Sequence, residues 1–145
     1  MIYTPLTKKA LTISFNAHKK QLDKSGIPYV YHPYELATQM TTEAETCVAL
    51  LHDVVEDAGI TYEELIAEGF GDEIIDALRL MTHNDGSDYY VYVRRIKQNP
   101  IARVVKLADL RHNSTTARLN VITDSDLRRQ NKYKTAIEIL LGNQE

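Results

Sequence analysis

Apolar residues recur at three- and four-residue intervals along most of this chain, separated by short polar segments that carry helix-starting and helix-ending residues. Thr4-Pro5 reads as an N-cap followed by proline in the first turn. Behind it Leu11, Phe15, His18 and Leu22 fall on one helical face, and Ser25-Gly26-Ile27-Pro28 breaks the segment. His32-Pro33 starts another helix. Thr42 with Glu45 forms a capping-box pattern that opens a segment running to about Asp57, with Gly59 as its C-terminal cap. Thr61 with Glu64 repeats the pattern, and Gly71-Asp72 precedes the apolar positions Ile74, Ile75, Leu78, Leu80 and Met81. Asn84-Asp85-Gly86-Ser87 is a turn. Tyr89 to Lys97 is rich in β-favouring Tyr, Val and Ile, yet reads as helix. Asn99-Pro100 opens a helix with Ile101, Val104, Val105 and Ala108 facing inward. Thr123 to Leu141 closes the pattern, packing through Leu127, Ala136, Ile137, Leu140 and Leu141, and Gly142 ends it. No strand pair, hairpin, repeat or linker stands out. The expectation is an all-α fold of about seven or eight helices in one compact domain, residues 1–145.

Composition narrows the function classes. A hydrophobic content of 43% over 145 residues suffices for one core. The net charge is -3 with both signs mixed along the chain, which argues against a nucleic-acid surface. No apolar run is long enough to span a membrane, and the N-terminus lacks a signal-peptide pattern, so a cytoplasmic protein is expected. Cys47 is the sole cysteine; within Cys47-Val48-Ala49-Leu50-Leu51 it reads as a buried structural thiol. Self-association is left open.

The chemistry concentrates in His52-Asp53-Val54-Val55-Glu56-Asp57, directly after that apolar run. Four ionisable groups in six residues at the end of a buried-looking helix need partners, and a metal ion is one economical partner. On a continuous helix His52 lies near Glu56 and Asp53 near Asp57. Acids at a helix C-terminus also oppose its dipole, which calls for a nearby cation. His32, before Pro33, and Asp109 are further ligand candidates, and Lys106, Asp109 and Asn113 share one helical face. Two imidazoles and two carboxylates suit Mn²⁺, Fe²⁺, Mg²⁺ or Zn²⁺ and leave coordination positions for water and a phosphoryl oxygen.

Three blocks carry a resemblance to a known family: Ala17-His18 through Lys24-Ser25-Gly26-Ile27-Pro28-Tyr29 to His32-Pro33, then Ala49 to Asp57, then Val105 to Asn113. Together they resemble the HD-domain metal phosphohydrolases, and more narrowly the hydrolase domain of the RelA/SpoT alarmone enzymes and their small single-domain relatives. The resemblance implies an HD-type helical fold and one divalent ion, Mn²⁺, held by His32, His52, Asp53 and Asp109. It implies that Glu56 and Asp57 orient the attacking water and handle protons. It implies that Lys24, Ser25 and Asn113 contact a small phosphorylated nucleotide. The implied reaction removes pyrophosphate from the ribose 3′ position of ppGpp or pppGpp. Where the long enzymes carry an Arg that stacks on guanine, this chain has Asp23. Another nucleoside phosphate or phosphorylated dinucleotide is therefore the alternative substrate, and a catalytically silent nucleotide-binding module the alternative of another class.

Other polar and aromatic residues receive plainer readings. His18 is a packed structural histidine, His83 is solvated beside its turn, and His112 packs or bonds locally. Tyr29, Tyr31 and Tyr34 serve packing or line a pocket. Arg94-Arg95 and Arg128-Arg129 form solvated faces.

Overall fold

The computed structural model describes residues 1–83, 85–115 and 119–142; Asn84, in the expected turn, lies outside the described residues. These residues form nine helices: α1 Pro5–His18, α2 Tyr31–Thr38, α3 Glu43–Leu51, α4 Val54–Ala58, α5 Tyr62–Ala67, α6 Asp72–Met81, α7 Tyr89–Lys97, α8 Pro100–Ser114 and α9 Asp124–Leu141. Among them the only β-type pairing is a single antiparallel bridge between Leu22 and Pro28. The all-α expectation holds, including α7, where burial of Tyr92, Val93 and Ile96 on one face outweighs β-propensity.

The centre of the fold is α3. Thr46 through Leu51 are all buried, so this helix is covered on every side. It packs against α1, α2, α6 and α8. Each fully buried leucine on it contributes about 1.5–3 kcal/mol of transfer free energy. The Thr42 side chain starts α3 by accepting from Glu45 N–H, satisfying one of the unpaired first-turn donors.

The expected single segment from Thr42 to about Asp57 is instead two helices, which raises the helix count. The His52 ring bonds the Ala49 carbonyl at 2.7 Å. That carbonyl is the acceptor a continuing α-helix would offer to Asp53 N–H. The chain turns at His52 and Asp53 and restarts as α4, which ends on Gly59 in the left-handed region at φ 69°. Glu56 and Asp57 therefore sit in the first turn of α4. In a helix of five residues the first and last turns overlap, so its dipole neither favours nor opposes their charge strongly.

Burial reassigns several packing positions. The inner stripe of α1 is Thr7, Ala10, Ser14 and His18. Phe15 lies on the solvent side of α1, and Leu22 is exposed because the helix ends at His18 before reaching it. On α8 the buried set is Ala102, Val105, Leu107, Ala108, Asp109 and Leu110, while Val104 is exposed. On α9 only Ala136 and Leu140 are buried, and Leu127 and Leu141 face solvent. This helix caps the bundle against α7 and α8 and is covered on a narrow stripe.

These contacts place α2, the α3–α4 corner and α8 around one point. The connection between α1 and α2 runs over it. Asp23 organises that connection: its Oδ1 accepts the N–H of Ser25 at 2.8 Å and of Ile27 at 3.0 Å. Gly26, at φ 80°, makes the tight turn between them.

Candidate metal centre and adjoining cavity

Asp109 is the hub of the buried cluster. Its Oδ1 lies 2.9 Å from His32 Nε2, 3.0 Å from Asn113 Nδ2 and 3.6 Å from His52 Nε2. Its Oδ2 accepts from Lys106 Nζ at 2.9 Å. The helical spacing of Lys106, Asp109 and Asn113 puts these three on one face of α8, as expected. Burial alone would raise the Asp109 carboxyl, but Lys106 and the two histidines hold it well below the usual carboxylate range. Burial likewise opposes the Lys106 charge, and Asp109 more than reverses that, leaving the ammonium firmly protonated.

His52 Nε2 is the atom that tests for a cation. It is buried, 3.0 Å from Asp53 Oδ2, and makes no well-formed hydrogen bond with any described residue. Its partner nitrogen Nδ1 donates to the Ala49 carbonyl, which assigns the ring proton and aims the Nε2 lone pair inward. Burial disfavours the imidazolium, yet Asp53 and Asp109 raise its pKa well above the ordinary value. The field that would hold a proton at Nε2 would equally draw a metal ion. One ligand atom each from His32, His52 and Asp109 lies within 4.8 Å of the others, so these three can hold an ion.

Asp53 stands beside this trio rather than in it. Its Oδ2 meets His52 Nε2 and accepts a hydrogen bond from the Tyr29 hydroxyl. Burial raises the Asp53 carboxyl, but His52 outweighs it and the net shift is downward. Burial and then the Asp53 charge push the Tyr29 phenol far above its usual value, so it remains a donor. With Asp53 as fourth ligand, the set of two imidazoles and two carboxylates fits a hard or borderline divalent cation.

Glu56 and Asp57 are exposed at the edge of this centre, each held by a remote segment. The Glu56 Oε1 accepts the main-chain N–H of His83 at 3.0 Å, and the His83 ring stacks on Tyr92 with centroids 4.4 Å apart. The Asp57 Oδ2 accepts Gln21 Nε2 at 3.3 Å.

A cavity of about 370 Å³ adjoins the cluster. Lys24, Ser25 and Asn113 all line it, so the loop before α2 and the end of α8 meet there. Tyr29 and Asn113 are shared walls, since each also bonds a carboxylate of the cluster. Arg129 and Tyr133 of α9 complete another side. Arg129, expected on a solvated face, is paired with Asp126 at 3.0 Å and turned to the cavity. Tyr31 and Tyr34 are exposed and do not line it.

His112 also departs from its expected role. Its Nδ1 lies 2.7 Å from His32 Nδ1, across 80 residues of sequence. A proton on His32 Nδ1 bonded to His112 would leave His32 Nε2 for an ion, the usual arrangement of a metal-binding histidine. No local signal in the sequence marks His112, Gln21 or Arg129; their partners arrive only through packing.

The family model described as HD domain matches residues 10–85. The chain belongs to the HD-domain family. This HD domain is 33% identical over 129 residues to a GTP pyrophosphokinase of Myxococcus xanthus, covering 77% of this chain and 17% of that protein. It is 34% identical over 126 residues to a guanosine-3′,5′-bis(diphosphate) 3′-pyrophosphohydrolase of Borreliella burgdorferi, covering 74% and 18%. It is 29% identical over 124 residues to the bifunctional (p)ppGpp synthase/hydrolase SpoT of Escherichia coli, covering 75% and 18%. The chain thus spans less than a fifth of the length of these relatives. Among solved structures, a metazoan ortholog of SpoT that hydrolyzes ppGpp shares the fold, with TM-score 0.73 and 23% identity over 99% of this chain and 90% of that one. No described helix is long and apolar enough to cross a membrane.

Proposed function

We propose that this HD domain is a divalent-metal phosphohydrolase that removes pyrophosphate from the 3′ position of ppGpp or pppGpp. The observation that carries the reading is the convergence of His32, His52 and Asp109 on one point, next to a cavity lined by Lys24, Ser25 and Asn113. The relatives that hydrolyse (p)ppGpp support the substrate.

In this reading His32, His52, Asp53 and Asp109 hold one Mn²⁺. Such an ion supplies Lewis acidity toward a phosphoryl oxygen and makes a water acidic enough to attack near neutral pH. Glu56 and Asp57, exposed at the rim, take up and return the water's proton. Lys24 binds phosphate as a point charge, and Ser25 and Asn113 add hydrogen bonds. Asn113 already donates to Asp109 Oδ1, so it couples substrate contact to the ligand set. Lys106 sits on the opposite carboxylate oxygen and keeps Asp109 oriented.

The purified protein with Mn²⁺ is expected to convert ppGpp to GDP and pyrophosphate. Glu56→Gln should keep its metal and lose about 10²–10⁴ in kcat, the usual worth of proton transfer. Loss of metal in that variant, or a rate within a few-fold of the parent, would refute the assigned role.

A second substrate reading has its own observation. Asp23 occupies the position of the guanine-stacking Arg, and its carboxylate is committed to the loop turn. A panel of nucleotides bearing 2′-, 3′- or 5′-phosphates distinguishes the readings: turnover of another member with none on ppGpp selects the alternative.

A further inference from the structure

His18 is entirely buried at the end of α1 and plays no part in the chemistry above. Its surroundings are specific. Nδ1 lies 2.9 Å from Gln21 Oε1, and Gln21 Nε2 donates to Asp57 Oδ2. The Asp57 carboxylate only accepts, so it selects the amide nitrogen of Gln21. The amide oxygen then faces His18, and an amide oxygen also only accepts. The ring proton of His18 therefore belongs on Nδ1. Nε2, sealed in the core, bonds no described residue.

The His18 ring also meets Tyr29, with centroids 4.9 Å apart and planes inclined by 56°. Tyr29 in turn donates its hydroxyl to Asp53. One buried imidazole thus stands behind two carboxylates one helical turn apart, Asp57 through an amide and Asp53 through a phenol.

The geometry points to His18 as a positioning residue: its Nδ1–H orients the Gln21 amide, which holds Asp57 in place, and its ring sets the angle of Tyr29 behind Asp53. This inference rests on the hydrolase reading, and it explains why a polar ring occupies an α1 stripe otherwise built of Thr7, Ala10 and Ser14. The Asp57 side chain is exposed, on a five-residue helix. Without the Gln21 bond it would sample several rotamers, and only some would place an oxygen where the proton must go.

Two measurements test this. Ring ¹⁵N shifts of the histidine-labelled protein, assigned by His18→Asn, report which nitrogen carries the proton. A proton on Nδ1 is expected; a proton confined to Nε2 overturns the inference whatever the activity. The second measurement compares His18→Phe, His18→Asn and Gln21→Met, each assayed for bound Mn²⁺ and for hydrolysis. His18→Phe fills the space without a donor. His18→Asn keeps an N–H near the Nδ1 position. Gln21→Met keeps length without an amide at a half-buried position on the cavity wall, outside the hydrophobic core.

Gln21→Met and His18→Phe are expected to lower kcat about tenfold or more with metal content and KM near the parent's, and His18→Asn to recover most of the loss. Equal kcat in Gln21→Met and the parent overturns the inference, even where His18→Phe fails to fold. Failure of the hydrolase reading looks different: the parent protein turns over no nucleotide while the Nδ1 proton is still found.

Discussion

Replacing Lys106 by Met separates the structural and metal-binding roles of Asp109. The Lys106 Nζ and Asp109 Oδ2 are 2.9 Å apart, both side chains largely buried. At an effective dielectric constant of ~20, Coulomb attraction at that distance is about 6 kcal/mol. Much of it is offset by desolvation of the two charges, and removing one partner of such a pair typically destabilises by ~3–5 kcal/mol. Asp109 retains the Asn113 amide donor, so the lower end, about 3 kcal/mol, is expected for the metal-free protein. Urea unfolding in the presence of a chelator measures it. With Mn²⁺ present the result should change in sign for binding. The ion takes over as counter-charge to Asp109, and a competing cation has been removed. If about 1.4 kcal/mol of the loss returns on binding, the Mn²⁺ Kd tightens roughly tenfold. The signature is a less stable apo-protein that binds metal more tightly. An apo-state loss under about 1 kcal/mol would refute the buried-pair estimate. An unchanged or weaker Kd would refute the placement of the ion beside Asp109.

Three further outcomes are expected. Arg129→Ala should raise KM for the nucleotide several-fold with metal content unchanged, because its guanidinium lines the cavity and no ligand candidate; titration of initial rates against substrate reads this. Cys47 is fully buried, and burial with Glu43 nearby pushes its thiol up to about 12, so thiol reagents at pH 8 should label it only under unfolding conditions. A raised folded pKa means that the Cys47 contribution to stability is intact below the unfolded value of about 8.5 and is lost as pH rises toward 12. Denaturation midpoints of Cys47→Ala should accordingly decline less steeply than the parent's over that alkaline range.

Asp23 shows how a substitution acquires two meanings once its surroundings are known. From the sequence it is a missing cation. In the fold it is also the acceptor that builds the turn at Ser25 to Ile27, and so holds Lys24 and Ser25 on the cavity wall. Restoring Arg at this position would add the charge and dismantle the turn together. Asp23→Asn, which keeps an acceptor, is the necessary companion to any such variant.

The chain by itself determined what depends on neighbours within a turn or two. Thr4, Thr42, Thr61, Asn99 and Thr123 all cap helices, although the reciprocal box forms at Thr4 and Thr123 and not at Thr42 or Thr61, where only the threonine oxygen accepts. Lys106, Asp109 and Asn113 meet because residues three and four apart share a helical face. His52 and Asp53 stood out because charged groups after a buried-looking run need partners, and His32 and Asp109 joined them as candidates through the family resemblance. Tertiary structure decided whatever required a second element. The break at His52 arises where a side chain takes a helical carbonyl, which periodicity does not register. It moved Glu56 and Asp57 from the end of one helix to the start of another. Which face of α1 is buried was set by α3 and α4, so Phe15 lies outside and His18 inside. His112 reached His32, and Gln21 reached Asp57, across 80 and 36 residues that no local rule connects. The candidate ligand residues were thus readable as chemistry, whereas the contacts that orient them exist only once the helices have packed.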